Sequence, residues 1–152
     1  MMFIITDKDP EKAVRFLVEN TNKAFYFKQL IELGQLVCSA GFSDIYKEVK
    51  RGKEIQEWIR NNKSYTLEYM SWLWGRCMCT TKMSWSTRAK IYNIMVGLEQ
   101  AIGTPENEIS TCIFRYKKGY KTDIPTNTEL PIDEGAEAYK KYIKEFKFNK
   151  NV

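Results

Sequence analysis

Apolar residues recur at helical spacing along most of the chain. Between Asp9 and Asn20, Ala13, Phe16 and Leu17 fall on one face. Asp9 stands where an N-cap is needed and Pro10 at the first helical position, which predicts a helix ending near Asn20. A second helix is expected from Asn22 or Lys23 to about Ser39, burying Tyr26, Leu30, Leu33 and Val37 and stopped by Ala40-Gly41. "GKEIQEWIRNN" (52–62) predicts a shorter helix with Ile55, Trp58 and Ile59 on one side. "SYTLEYMSWLWGRCMCTT" (64–81) predicts a long one capped by Ser64, with Leu67, Met70, Trp74 and Cys77 on one stripe. It is apolar nearly all round and so is expected to be the central buried helix. "STRAKIYNIMVGLEQAI" (86–102) is the cleanest amphipathic pattern, through Ile91, Ile94, Met95, Leu98 and Ile102, ended by Gly103-Thr104-Pro105. A last helix is expected from Asp133 to about Phe148, with Ala136, Tyr139, Tyr142, Ile143 and Phe146 inward.

Two stretches break the period. "MFIIT" (2–6) reads as a short strand or an extended arm. "STCIFRYKKGYKTDIPTNTELPIDEG" (110–135) holds two prolines, two glycines and no helical repeat; its first part suits a short strand that runs into a basic loop. The expected fold is therefore mainly α: one domain over residues 1–152, a bundle of five or six helices with a short N-terminal strand or arm and a long basic loop before the last helix. Long irregular connections in compact domains are uncommon and often functional.

Composition narrows the chemistry. There is no histidine, which excludes Ser-His-Asp and Cys-His catalysis, histidine-ligated metals and imidazole proton transfer. Cys38, Cys77, Cys79 and Cys112 read as reduced thiols, and "CMC" without a second cysteine pair does not make a zinc site; no metal and no cofactor are expected. No apolar run reaches the roughly 18 residues that span a bilayer. "MMFIITDKDPEK" lacks the features of a signal peptide, so the expected location is cytoplasmic, with no membrane partner. The net charge of +5 is unevenly spread, with four bases inside Arg115–Lys121 and four acids between Glu129 and Glu137. A local basic patch on a modestly charged chain suits a compact anionic ligand better than long duplexes.

Three sets of residues are candidates. In "RYKKGYK", Arg115, Lys118 and Lys121 offer charge for phosphate, Gly119 permits close backbone approach, and Tyr116 and Tyr120 offer faces for a base; the plain reading is a solvated turn. Lys28 and Glu32, at i,i+4 with Gln35 beyond, present an amine, an acid and an amide on one helix, or merely an exposed pair. Trp58, Trp72, Trp74 and Trp85, with Tyr65 and Tyr69, either wall a cavity for a nucleobase or fill the core. Arg60, Arg76 and Arg88 lie near those rings in sequence, and Arg60 is counted among the phosphate ligands.

"DPEKA" (9–13), Lys28-x-x-x-Glu32-x-x-Gln35-Leu36, "WIR" (58–60), "KGYK" (118–121) and "EAYKKYIKEF" (137–146) together resemble a family of small, mostly helical proteins of tailed phages and large DNA viruses, often described as similar to the pyrimidine-dimer DNA glycosylase. The likeness is clearest over residues 4–36 and 113–148 and weak between 61 and 112. It implies a phage origin, a helical fold and a nucleic-acid-related ligand. The family pattern has a histidine three residues before the lysine, where this chain has Phe25; the glycosylase type also uses a free N-terminal amine, where this chain begins Met1-Met2.

Three functions follow. The first is capture of a phosphate-bearing nucleotide in a basic-aromatic pocket by Lys28, Arg60, Arg115, Tyr116, Lys118, Tyr120 and Lys121, sequestering a host defence signal in the host cytoplasm. The second is a DNA glycosylase or lyase acting on damaged or modified bases, with Glu32 and Lys28 as the catalytic candidates. The third is a protein-interaction inhibitor of a host factor, working through the tryptophans or the acidic 129–137 stretch. Capture stands first, because it needs no histidine; a homo-oligomer is compatible with any of the three.

Overall fold

The computed structural model describes residues 5–103, 106, 108–114, 128–146 and 148. Within them the order is α1 (Pro10–Asn20), α2 (Lys23–Val37), a π-helical turn (Cys38–Phe42), α3 (Lys53–Asn61), α4 (Lys63–Thr80), α5 (Trp85–Gln100), β1 (Thr111–Phe114), β2 (Thr128–Pro131) and α6 (Ile132–Phe146). The mainly helical bundle read from the sequence is what forms. Of the expected N-terminal strand or arm, residues 1–4 lie outside the described residues; Ile5 is buried and belongs to no strand.

The first two helices start where local chemistry says they should. The Asp9 carboxylate accepts from the Glu11 amide with Pro10 in the first turn, and the Asn22 side chain accepts from the Phe25 amide, each satisfying a donor that a helix start leaves open. α2 passes into the π-helical turn at Cys38, which closes at Gly41 with φ of 105°, a conformation glycine adopts without a side-chain clash.

α4 lies against α1, α2, α3 and α5, as the central helix was expected to, but two details differ. It starts at Lys63 rather than after Ser64, and its own N-cap residue, Asn62, makes no side-chain cap bond. The Glu106 carboxylate caps it from across the fold, accepting from the amides of Lys63 and Ser64 at 3.1 and 2.9 Å. The buried face runs through Thr66, Tyr69, Met70, Leu73 and Cys77, while Leu67 and Trp74 are only partly buried and Trp72 is exposed. α4 is therefore amphipathic, with an aromatic outer side.

α5 likewise begins earlier than the pattern suggested. Ser84 caps it, accepting from the Thr87 amide, and Trp85 occupies the first turn. Ile91, Ile94, Met95 and Leu98 are buried as expected, whereas Ile102 falls beyond the helix. β1, the expected short strand, pairs antiparallel with β2, from Thr111 opposite Pro131 to Phe114 opposite Thr128. β2 carried no strand signal and exists through its pairing. α6 follows it directly and packs on both strands, burying Ala136, Tyr139 and Tyr142, with Phe16 of α1 against Tyr139.

Candidate functional site

α2 carries its chemistry on the side turned away from α5. Gly34 abuts α5: a methyl group there would stand 3.2 Å from Ile91 Cδ1 and 3.5 Å from Ile94 Cδ1. Two residues along an α-helix are about 200° around its axis, so Glu32 faces away from α5. Lys28 and Phe25 lie on the same side, one and two turns earlier. Phe25 packs edge-on against Phe148 with ring centroids 4.7 Å apart.

Lys28 is exposed, but the Glu32 side chain retains only 18% of its exposure. Its one interaction among the described residues is the Lys28 ammonium, with Nζ 4.0 Å from Oε1. Glu106 provides the comparison, because its side chain is enclosed to the same 18%. That carboxylate accepts from two backbone amides and lies 3.4 Å from Lys63 Nζ. A carboxylate taken largely out of water is costly unless hydrogen bonds replace the water it loses. Glu106 has them from its own fold. Glu32 holds acceptor capacity open beside a cation, an arrangement suited to a ligand with hydroxyl or N–H donors and a negative group.

The other candidates separate. Arg60 braces the fold: its Nε donates to the Ala40 carbonyl at 3.0 Å and a terminal nitrogen to Glu57 at 2.8 Å. It ties α3 to the π-helical turn, with its side chain 41% exposed. Arg115, Tyr116, Lys118, Tyr120 and Lys121 lie outside the described residues; described are the paired strands on either side, ending at Phe114 and Thr128. In the acidic stretch, Asp133 and Glu134 occupy the first turn of α6, where negative charge is favoured by the helix dipole, and Glu137 pairs with Lys140 at 3.4 Å.

The aromatic set splits into core and surface. Trp58, Tyr65 and Tyr69 are buried; the Trp58 indole donates to the Thr111 carbonyl and the Tyr65 hydroxyl to the Asp7 carbonyl at 2.6 Å. These hold β1 and the N-terminal segment to the bundle. Trp72, Trp85 and Tyr92 are exposed at 46, 81 and 55%, and the Arg88 guanidinium lies 4.9 Å from the Trp85 ring centre. Trp74 sits 6.2 Å from Tyr92 in a groove of about 540 Å³ between α4 and α5. The sequence reading missed Tyr92, which lies in the clean amphipathic pattern but on its polar side.

Cys38 and Cys77 are buried and Cys79 is exposed, so the two cysteines of "CMC" do not converge. Burial pushes the Cys77 thiol up to about 12. Among the described residues no group of three or more Cys, Asp or Glu could hold a metal, and no helix is long and apolar enough to cross a membrane. Compared with known proteins, the chain matches no family model, no curated protein and no solved structure.

Proposed function

We propose that this protein is a capture module for a nucleotide, with Glu32 and Lys28 of α2 at the centre of the site. The observation that carries the reading is Glu32: a largely enclosed carboxylate without a hydrogen-bond donor among the described residues, whose equally enclosed counterpart Glu106 has three nitrogens around it. Ribose hydroxyls or a base N–H would donate to Glu32, and a phosphate would meet the Lys28 ammonium. Arg115, Lys118 and Lys121 would add charge, and Tyr116 and Tyr120 a stacking face. The resemblance to the phage and large-DNA-virus family supports a nucleic-acid-derived ligand. Such a module acts by holding its ligand away from another receptor, which for a phage protein means sequestering a host defence nucleotide.

A thermal-shift screen with the full chain tests this. The panel holds mononucleotides, ADP-ribose-type nucleotides, cyclic di- and trinucleotides, and a short DNA with an abasic site. A ligand at 100 times its Kd stabilises by about 2.7 kcal/mol, several degrees for a chain of this size. Glu32→Gln and Lys28→Ala are each expected to weaken a small-nucleotide ligand by roughly tenfold or more, since hydrogen bonds to charged groups contribute about 1.5–3 kcal/mol. Binding confined to DNA, with strand scission that Glu32→Gln abolishes, would replace capture by the glycosylase or lyase reading. Silence across the panel would overturn both and leave a protein partner.

A further inference from the structure

The outer face of the α4–α5 hairpin is aromatic where a surface helix is ordinarily polar. Trp72 projects from α4 and Tyr92 from α5, each about half exposed, and Trp85 is four-fifths exposed at the α5 start. Trp and Tyr exposed together are uncommon on a monomer's surface and typical of the energetic centre of an interface. The groove beneath holds a second signal. Trp74 Nε1 is buried and has no hydrogen-bond partner among the described residues, a donor without an acceptor beside it there.

The charges around these rings identify what covers them. On α4, Glu68 and Arg76 stand four residues before and four after Trp72, both exposed. On α5, Arg88 precedes Tyr92 by four residues and Glu99 follows it by seven. The helices are antiparallel neighbours, with Trp74 beside Tyr92 and the Ser71 hydroxyl 3.5 Å from Met95 Sδ. Glu68 and Glu99 therefore share one end of the face, and Arg76 and Arg88 the other. The side chains of Glu68, Arg76 and Glu99 make no ion pair among the described residues.

We infer that this face binds a second copy of the chain about a two-fold axis passing near Trp72 and Tyr92. Such an axis lays the acidic end of one face on the basic end of the other, with the aromatic rings between them, and an isologous contact needs this self-complementarity. A partner of uniform charge would be repelled at one end of the face. The face carries neither Lys28 nor Glu32, so the inference does not depend on the nucleotide reading.

Analytical ultracentrifugation of the full chain at rising concentration reads the outcome. A concentration-dependent dimer is expected, weakened by roughly thirtyfold or more in Trp72→Ala, the scale of an interface hot spot. Arg76→Glu places acids at both ends of the α4 row, and Glu68→Arg places bases at both; each variant alone is expected to dimerise at least about tenfold more weakly. Mixed one to one, the two variants recover a dimer, because each then meets the opposite charges. These exposed substitutions leave the fold intact, which circular dichroism checks. A wild-type chain that stays monomeric at all concentrations, or single variants that dimerise like wild type, would overturn the inference. So would dimerisation that the mixture fails to restore.

Discussion

A methyl group added at Gly97 would overlap the carbonyl oxygen of Phe42, where α5 passes the π-helical turn. Alanine is ordinarily favoured over glycine inside a helix by about 1 kcal/mol, and that preference holds at Gly75 of α4, where an added methyl meets nothing within 4 Å. The two substitutions should therefore differ in sign. Gly75→Ala is expected to stabilise by about 0.5–1 kcal/mol, and Gly97→Ala to destabilise by about 1–3 kcal/mol as backbone is forced apart. Urea denaturation of both variants decides it; shifts in the same direction would contradict the packing described. Nothing near Gly97 in sequence announces this contact, because Phe42 lies in another element. Glu32 is similar: its i,i+4 spacing from Lys28 was legible, but its enclosure and its lack of donors among the described residues depend on what the chain folds around it.

At the level of elements, what was local was legible. Asp9-Pro10 and Asn22 mark the starts of α1 and α2 because their capping donors lie within three residues. The start of α4 was misplaced because its cap arrives from Glu106. Removing it in Glu106→Ala exposes two amides and is expected to destabilise by about 1–2 kcal/mol, with Glu106→Gln losing less because one acceptor oxygen remains. A denaturant midpoint unchanged in Glu106→Ala would show that water replaces the cap at no cost. The tryptophans show the same limit from another side. Trp58 stands among Gln56, Glu57 and Arg60 and Trp72 among Met70, Leu73 and Trp74, yet the first is a core residue bonded to β1 and the second is exposed, a difference set by which face of each helix the neighbours cover. β2 depends wholly on β1, so its short run offered no period of its own.

Across the whole molecule, several acidic groups are buried in their neutral form. Burial raises the Cys77 thiol from its ordinary value of 9.0 to about 12, and Tyr69 and Tyr139 are raised above 10.0 by the same cause, Tyr139 also by the neighbouring tyrosines. Below pH 9 the folded and unfolded chains hold these protons alike, so the groups contribute no pH dependence. As pH climbs from 9 toward 12 the unfolded chain releases protons that the folded chain keeps, and stability falls by up to about 1.4 kcal/mol per unit for each such group. Melting temperature is thus expected to be flat near neutrality and to drop above pH 9. Cys77→Ala, less stable throughout, should show a shallower decline between pH 9 and 10; an equal slope would mean the thiol takes no part.

The cap on α4 also sets an order of events during synthesis. Chains emerge from the ribosome N-terminus first, and Lys63 leaves it 43 residues ahead of Glu106. Until that glutamate arrives, the central helix of the bundle has an open first turn, although α1, α2 and α3 are already present to pack against it. A nascent chain halted just after α5 would hold α1, α2, α3 and α5 and still lack the residue that closes the first turn of α4.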